Sequence, residues 1–187
     1  KQLTTYSENI GKPEFGKITH NALELVYNDV LNNKKENVIE KNDFLKIKAG
    51  ISGSIIKVIK KHFRLNNKNE FIPEGNNIIL IEIIKDYMNK VISFDEKYAP
   101  FKILNLEGDK KSGFIKKYNL SKKNKVNISG FIDRIDEKNN KIRIIDYKTG
   151  GDSRISKDIK SLLSKEKKER NDAVFQLFFY SLLVKNS

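Results

Sequence analysis

Three charged residues lie at the ends of two apolar segments whose pattern predicts paired strands. The segments span 128–135 and 142–147, with a polar break between them. Asp133 interrupts the first segment, and Asp146 and Lys148 lie at the end of the second. Runs rich in Ile and Phe that are bounded by Asn and Gly are typical of a hairpin. Because Asp146 and Lys148 are two residues apart, they would project from the same face of a strand.

These charges predict a divalent-cation site. If Asp133 lies opposite Asp146, two carboxylates and the ammonium of Lys148 meet at one end of a sheet. Half-buried like charges repel each other strongly unless a counter-charge neutralises them. Mg²⁺ prefers oxygen ligands and is commonly held by one or two carboxylates together with substrate phosphates. We therefore expect a hard divalent cation at this position.

Length and composition limit the class of protein. A chain of 187 residues is long enough for one domain with a buried core. It contains no cysteine, so disulfides, Cys-ligated zinc and an iron–sulfur cluster are excluded. No apolar run approaches the roughly 20 residues of a membrane span, and no signal peptide is visible, so a soluble cytoplasmic protein is expected. The chain starts without Met and ends in mid-pattern, and we expect a fragment of a longer chain.

The net charge of +13 suggests a polyanionic partner such as nucleic acid. However, lysine, asparagine and isoleucine are enriched together, and only five arginines occur. An AT-rich coding bias produces this enrichment whatever the function, and specific readers of phosphates and bases usually favour arginine. The charge alone is weak evidence for nucleic-acid binding, because a merely solvated surface would have the same composition.

The first half of the chain is predicted to be helical. Apolar residues recur at helical spacing over about 16–31, and again over 43–48, 54–63 and 78–94. The first of these helices carries His20 on a face that also bears polar residues. From spacing alone, a lone histidine on an amphipathic helix is more often a surface or core residue than a ligand.

After Pro100 the pattern changes to short strands. Segments 101–107 and 114–120 alternate in polarity and precede the central pair, so three or four antiparallel strands would follow one another as a meander. Glu107 ends the first of these strands and could point towards the same site as Asp133. A terminal strand charge without any function is an equally good interpretation.

A final helix is predicted over 173–184, with Asp172 as its N-cap, and a short helix over 155–163. The final helix is apolar almost all round, and Gln176 and Tyr180 lie one turn apart on one face. A glutamine in so apolar a helix needs a hydrogen-bond partner. The structural interpretation is a buried Gln–Tyr pair that braces the core.

Taken together, the motifs resemble a known family. The chain reads GFIDRID at 130–136 and IIDYKTG at 144–150, followed by Gln176 and Tyr180 in a Q-x-x-x-Y helix. This combination resembles the RecB-type branch of the PD-(D/E)XK nuclease superfamily, and is closest to the nuclease domains of RecB and AddB helicase–nucleases. The segment GKITH at 16–20 is similar to the first motif of that branch, so the resemblance covers nearly the whole chain.

The resemblance implies a role for each site residue. Asp133 and Asp146 would hold one or two Mg²⁺ or Mn²⁺ ions, with His20 and the backbone carbonyl of Tyr147 as further ligands. Lys148 would lie beside the attacking water, where it helps to position or deprotonate that water and stabilises charge on the phosphate.

Supporting roles follow from the same resemblance. Gln176 and Tyr180 would brace the site and contact DNA, and Glu107 would be an auxiliary acidic residue. Some members of this branch carry a Cys-bound iron–sulfur cluster, which this chain cannot have. The sequence has no nucleotide-binding P-loop, so any helicase activity would belong to another domain or subunit.

The implied fold is α/β (α+β) with a restriction-endonuclease-like core. We expect a central mixed sheet of about four or five strands flanked by helices, in a single nuclease domain over 1–187. The catalytic core would comprise about 16–31 and 100–185, and residues of about 37–95 would form a helical insertion. The first and last helices would flank the active edge.

The leading hypothesis is a metal-dependent DNA nuclease, an exonuclease of a bacterial recombination or repair helicase–nuclease system. A carboxylate-bound cation acts as a Lewis acid and lowers the pKa of bound water, and a nearby ammonium stabilises developing charge. A second hypothesis is a catalytically inactive nuclease-fold protein that binds DNA or acts as a scaffold. The complete set of acidic residues and lysine favours the first. A third is a restriction-type or transposon-encoded endonuclease, although the sequence contains no evident recognition module.

Overall fold

The computed structural model describes most of the chain, which divides into two compact units, Lys1–Ile103 and Leu104–Ser187. The described residues are 10–64, 73–106, 113–119, 121, 124–150, 158–166 and 170–185, and residues 4–6 and 71–72 are described by their backbone.

Three long helices form the body of the first unit. These are α1 (Lys12–Leu31), α2 (Asp43–His62) and α3 (Asn76–Tyr98). Each helix buries an aliphatic stripe against the others, as the helical spacing of apolar residues predicts. Fully buried members of this core include Leu23, Ile47, Ile55, Ile84 and Met88.

Helix α2 is continuous, so the prediction of two short helices over 43–48 and 54–63 is wrong. Gly50 and Gly53 suggested a break, since glycine inside a helix costs about 1 kcal/mol relative to alanine. Burial of the apolar stripe on both sides of the glycines outweighs that cost. Gly50 also has a packing role: a Cβ there would lie 3.0 Å from Cγ2 of Val26 on α1, so glycine allows the two helices to approach closely.

The other helices of this unit match their predictions with shifted ends. Helix α1 begins earlier than predicted, at Lys12, because Pro13 stands in its first turn, where no intrahelical N–H bond is required. Helix α3 extends the predicted 78–94 by a few residues at each end. Tyr27 on α1 donates a 2.7 Å hydrogen bond from its hydroxyl to Oδ2 of Asp95 on α3, and both side chains are buried.

Short strands accompany the helices. Strand β1 (Thr4–Tyr6) pairs in parallel with β3 (Phe71–Pro73), and β2 (Val38–Ile39) pairs antiparallel with the start of β4 (Phe101–Leu106). Strand β4 was predicted over 101–107. Strands β2 and β3 were not predicted, because two or three residues are too short to display a period-2 pattern.

The second unit combines two antiparallel strand pairs with helices. Strand β5 (Phe114–Asn119) pairs with β6 (Lys125–Gly130), and β7 (Arg134–Lys138) pairs with β8 (Lys141–Ile145). Helix α4 (Ile159–Leu162) lies within the predicted 155–163, of which 155–157 falls outside the described residues. The last helix, α5 (Asp172–Val184), matches its prediction.

The predicted central hairpin has different boundaries. The segment 128–135 is not one strand: β6 ends at Gly130, the link 131–133 leaves the ladder, and β7 begins at Arg134. The turn is shorter than the predicted polar break, because Asn139 and Asn140 both have positive φ, as a two-residue type I′ turn requires. The charged residues on either side of this turn therefore belong to the strands.

The predicted meander is also wrong. In the described strands, β6 pairs with β5 and β7 pairs with β8, and the link 131–133 separates the two pairs. Hydrogen-bonded neighbours give the strand orders β2-β4-β7-β8 and β5-β6. Together with the five helices of the described chain, these sheets confirm the predicted α/β fold class and agree with a restriction-endonuclease-like core.

No helix in the described part of the chain is long and apolar enough to cross a membrane.

Candidate active site

Asp133 lies in the link between β6 and β7, and its side chain is turned inward. Only 8% of the residue is exposed. Its Oδ2 accepts a 2.5 Å hydrogen bond from the backbone N–H of Tyr147. This bond ties the link to the segment that follows β8, and so brings the Asp133 carboxylate next to the peptide that joins Asp146 to Tyr147.

Asp146 and Lys148 form an ion pair immediately after β8. The strand ends at Ile145, and Oδ2 of Asp146 lies 2.6 Å from Nζ of Lys148. The Asp146 side chain is 6% exposed, whereas the Lys148 side chain is 45% exposed. The pair therefore combines a buried carboxylate with an ammonium that solvent and a ligand can reach.

Lys148 also connects the segment to α5. Its Nζ donates a 2.7 Å hydrogen bond to Oε1 of Gln176, whose Nε2 donates a 2.5 Å hydrogen bond to the hydroxyl oxygen of Tyr180. A lysine ammonium can only donate, so the Gln176 amide must turn its carbonyl towards Lys148 and its NH₂ towards Tyr180. The Gln–Tyr pair that the helical spacing suggested is thus present, and it extends to Lys148.

The ionisation of Tyr180 reflects both carboxylates. Burial raises the pKa of Tyr180, and the negative charges of Asp146 and Asp133 raise it further, while the hydrogen bond from Gln176 and the charge of Lys148 lower it. The net shift is upward, so the phenol stays neutral. Asp133 and Asp146 also lie near each other in the second unit, because Asp133 is hydrogen-bonded to the N–H of the peptide that follows Asp146.

Glycine at 130 allows α5 to approach this region. A Cβ on Gly130 would lie 2.9 Å from Cε1 of Tyr180, closer than real Cβ contacts, and 3.2 Å from Cδ1 of Leu183, which is tighter than most. The ring of Tyr180 therefore packs directly on the end of β6. Buried Ile132 and Ile135 complete the cluster with Tyr180 and Leu183. This packing determines where α5 presents Gln176.

Both ends of α5 are also held. At its start, Oδ1 of Asn171 accepts a 3.0 Å hydrogen bond from the N–H of Val174, so Asn171 is the N-cap and the predicted cap at Asp172 is wrong by one residue. Asn and Asp cap equally well, so their types could not decide between them. At its end, the carbonyl of Leu182 accepts hydrogen bonds from Nζ of Lys116 and the hydroxyl of Tyr118 on β5.

An open cavity of about 360 Å³ adjoins Lys148. Its lining comprises Lys148, Gly150, Asp172, Ala173 and Gln176. The cavity therefore lies between the segment after β8 and the first turn of α5. It gives the ammonium of Lys148 a route to solvent, and a ligand could approach by the same route.

Comparison with known proteins identifies the family. The family model described as the PD-(D/E)XK nuclease superfamily matches residues 2–187. The chain belongs to the PD-(D/E)XK nuclease superfamily. Searches of curated proteins and of solved structures find no significant match. PD-(D/E)XK proteins generally hydrolyse DNA phosphodiester bonds and typically use a divalent metal such as Mg²⁺.

The oxygen donors of the second unit fit such a metal. Mg²⁺ and Mn²⁺ favour carboxylate and carbonyl oxygens, which Asp133, Asp146 and the backbone carbonyl of Tyr147 supply. The two aspartates are buried and are linked through the peptide N–H between Asp146 and Tyr147, and a cation would offset their mutual repulsion. Within the described residues, no group of three or more His, Cys, Asp or Glu side chains could hold a metal ion, and the donor set of Asp133, Asp146 and the Tyr147 carbonyl stays a prediction.

The roles predicted for all of the PD-(D/E)XK site residues stay predictions, including those of His20 and Glu107. His20 lies on α1 in the first unit, where it is half-buried. Glu107 lies outside the described residues.

A buried charge network next to the site was not predicted. Arg134 and Asp136 are both fully buried on β7, where Nη2 of Arg134 donates a 3.2 Å hydrogen bond to Oδ2 of Asp136. Nε of Arg134 lies 3.1 Å from Oδ1 of Asp136, an ion-pair distance without hydrogen-bond geometry. Arg143, directly opposite Asp136 on β8, donates a 3.0 Å hydrogen bond from Nε to the same Oδ2. The guanidinium of Arg134 also lies over the ring of Tyr147, 5.8 Å from its centroid.

The sequence contains a signal for this network. Arg134 and Asp136 are two residues apart on one strand, so they share a face, where opposite charges can form a pair. Recognising Arg143 as the third member requires the register, which the Asn139–Asn140 turn sets.

Proposed function

We propose that this PD-(D/E)XK protein is an active deoxyribonuclease that requires Mg²⁺ or Mn²⁺ and hydrolyses phosphodiester bonds. One observation supports the proposal most strongly. A continuous set of contacts runs from Asp146 through Lys148 and Gln176 to Tyr180, and Asp133 is hydrogen-bonded to the neighbouring peptide N–H. Two carboxylates and an accessible ammonium on one rigid frame are the groups that this reaction needs.

The proposed roles follow from the contacts. Asp133, Asp146 and the carbonyl of Tyr147 would hold the cation, which when bound acts as a Lewis acid and lowers the pKa of bound water. Lys148 would stabilise the negative charge that develops on the phosphate, because its exposed ammonium lies 2.6 Å from the Asp146 carboxylate. Gln176 would hold that ammonium in place through a bond of 2.7 Å. Hydrolysis forms a bond from water oxygen to phosphorus and breaks the bond to the leaving oxygen.

A finer proposal concerns the biological context. The motifs at 130–136 and 144–150, and the Q-x-x-x-Y helix that follows, resemble RecB and AddB nuclease domains. On this basis the chain would act as an exonuclease in a bacterial recombination or repair system, with a helicase supplied by another domain or subunit. Degradation of linear DNA, with closed circular DNA left intact, would support the exonuclease mode.

The test is a cleavage assay with labelled single-stranded and duplex DNA in Mg²⁺, Mn²⁺ or EDTA. Asp146→Ala and Lys148→Ala are each expected to lower the cleavage rate by at least about 100-fold, which is the usual size of such losses. Asp86→Ala and Lys90→Ala are matched controls, because these residues form an exposed 2.8 Å ion pair on α3. The controls are expected to cleave at the wild-type rate.

Two outcomes would contradict the proposal. Metal-dependent cleavage that survives both Asp146→Ala and Lys148→Ala would contradict the assignment of the site. A wild-type protein that binds DNA but never cuts it in either metal would favour the alternative, a catalytically inactive nuclease-fold protein that binds DNA or acts as a scaffold.

His20 needs a separate test, since it would be a further metal ligand. His20→Ala is expected to raise the Mn²⁺ concentration required for half-maximal cleavage and to leave DNA affinity in EDTA unchanged. Identical metal titrations for the variant and the wild type would remove His20 from the site. His62 on α2, which is half-buried like His20, offers a control substitution, His62→Ala.

A further inference from the structure

Helix α2 has an unbalanced charge. It carries five lysines and one acidic residue, Asp43. Asp43 forms an ion pair of 2.5 Å with Lys34, outside the helix, and Lys48 forms one of 2.7 Å with Glu96 on α3. These pairs account for the acidic residue and for one lysine only, so the rest of the helix has an excess of positive charge.

The basic residues that are left share a solvent-exposed side of α2. We define the α2 basic face as Lys46, Lys57, Lys61 and Arg64, all of which are exposed. Among the described residues, no carboxylate forms an ion pair with any of them. A basic residue in the last helical turn complements the helix dipole, which accounts for Lys61, but this effect does not reach Lys57 or Lys46.

Helix α3 shows that lysine richness alone does not produce such a face. It has three lysines and four acidic residues. Two of its lysines form ion pairs along the helix, Lys85 with Glu82 at 2.6 Å and Lys90 with Asp86 at 2.8 Å. Both helices belong to one compact unit of one lysine-rich chain. A coding bias would enrich both alike, so it does not explain why α2 alone is unbalanced.

The middle of the α2 basic face is built from small residues. Ala49, Ser52 and Gly53 are exposed between Lys46 and Lys57. A shallow groove of about 490 Å³ lies along this part of the helix, with Ser52, Gly53, Ile56, Lys57 and Lys60 as its lining. A phosphate backbone could approach the helix axis closely there, with ammonium groups on either side.

The end of the helix also retains a basic residue against local preference. Arg64 follows the C-cap and has a φ of 53°, in the left-handed region where glycine is preferred. An arginine in this conformation costs about 1 kcal/mol or more. Arg64 extends the row of positive charge beyond the last turn.

We propose that the α2 basic face binds the phosphate backbone of DNA, as a contact surface additional to the candidate active site. In naming DNA as the polyanion, this inference rests on the proposed function. A membrane surface fits less well, because the stretch from Lys57 to Arg64 exposes no large apolar residue that would insert between lipids, and the exposed Leu45 lies near the other end of the helix. Lysine contacts to phosphates predict an affinity that is independent of sequence and steeply dependent on salt.

The test compares two charge reversals in one unit. The face variant is Lys57→Glu/Lys61→Glu, and the control is Lys85→Glu/Lys90→Glu, which changes net charge equally on α3. DNA binding is measured by fluorescence anisotropy in EDTA, with a labelled single strand and a duplex. At about 50 mM salt, the face variant is expected to bind about tenfold or more weakly, and its plot of log affinity against log salt should be shallower by about one to two. The control should bind within about twofold of wild type.

A second variant separates the effect of charge on DNA affinity from any effect on the stability of the fold. Arg64→Gly removes one charge and relieves the left-handed backbone, so its thermal stability should equal or exceed that of wild type. Its DNA affinity should still fall, by roughly threefold at low salt. A stable Arg64→Gly variant with unchanged affinity would remove Arg64 from the face.

The outcomes distinguish this inference from the proposed function. Equal losses of affinity in the face variant and the α3 control would overturn it, because they would reflect net charge alone. Unchanged DNA affinity with lost binding to phosphatidylserine vesicles would assign the face to a membrane and overturn it too. If wild type never cleaves DNA but only the face variant loses affinity, the surface stands and the proposed nuclease fails. If wild type cleaves DNA and the face variant binds DNA as tightly as wild type, the proposed nuclease stands and the α2 basic face fails as a DNA-binding surface.

Discussion

The two units bury their carboxylates in different ways. In the first, Asp95 accepts a hydrogen bond from the Tyr27 hydroxyl between packed helices. In the second, Asp133 is hydrogen-bonded to the peptide N–H that follows Asp146, and Asp146 pairs with a lysine that is exposed to solvent. A single carboxylate hydrogen-bonded between packed helices braces a core, whereas neighbouring carboxylates cost stability unless a cation joins them. A candidate site is therefore recognised by neighbouring carboxylates with a solvent-accessible partner, and the burial of a carboxylate alone does not identify one.

The largest expected effect on stability lies in the second unit but outside the proposed metal ligands. Asp136→Ala leaves Arg134 buried without this partner, and loss of one member of a buried ion pair costs about 3–5 kcal/mol. Urea denaturation should show this loss in the free energy of unfolding, with the exposed Asp86→Ala as control. A loss under about 1 kcal/mol would mean that the Arg134 network does not support the hairpin.

The Tyr27–Asp95 pair should behave as a purely structural contact. Tyr27→Phe removes the hydroxyl that Asp95 accepts from, which should lower the free energy of unfolding by about 1–3 kcal/mol. The folded variant should cleave DNA at the wild-type rate and with the same metal dependence. A change in the metal dependence of cleavage would contradict the distinction between the two kinds of buried carboxylate.

The sequence predicts the helices better than the strands. Long amphipathic periods identify α1 and α3, because many residues contribute to each pattern. The central hairpin is harder to predict. Gly130, at the end of β6, packs against Tyr180, which lies fifty residues further along the chain. The split of α2 was predicted wrongly for a similar reason: packing against Val26 favours glycine at position 50, and no local rule shows this.

The sequence indicates which residue types belong to the candidate site, but it anticipates only some of the contacts between them. The two-residue spacing of Asp146 and Lys148 anticipates their ion pair, and the one-turn spacing of Gln176 and Tyr180 anticipates their hydrogen bond. The hydrogen bond from Lys148 to Gln176 joins segments that are distant in sequence, so it could not be predicted without knowledge of the fold.

Gln176 should affect turnover more than binding. Gln176→Ala removes one of the groups that hold Lys148 and leaves its pair with Asp146, so kcat should fall by about tenfold because the ammonium is less well oriented. DNA affinity in EDTA should be unchanged. Leu177→Ala, the adjacent exposed position on α5, is the control. A fall in affinity with kcat preserved would make Gln176 a DNA contact and not a positioning residue.

The smallest expected effect concerns pH. Burial and two carboxylates raise the pKa of Tyr180, so its contribution to stability is complete below the ordinary pKa of 10.0 and is lost as pH rises through the raised value. In EDTA, wild type should therefore lose stability above about pH 10 more steeply than Tyr180→Phe, which has no phenol to ionise. Thermal melts at about pH 8 and about pH 11 compare the two. Equal slopes would mean that Tyr180 ionises as freely in the folded protein as in the unfolded chain.

Metal binding measured without DNA tests the central claim most directly. Thermal melts with increasing Mn²⁺ should show stabilisation of the wild type, worth about 2.7 kcal/mol when the metal is at 100 times its Kd. Tyr27→Phe should retain this gain from its lower starting stability, whereas Asp146→Asn should lose it. Stabilisation of Asp146→Asn by Mn²⁺ as large as that of the wild type would contradict the claim that Asp133 and Asp146 form a metal site.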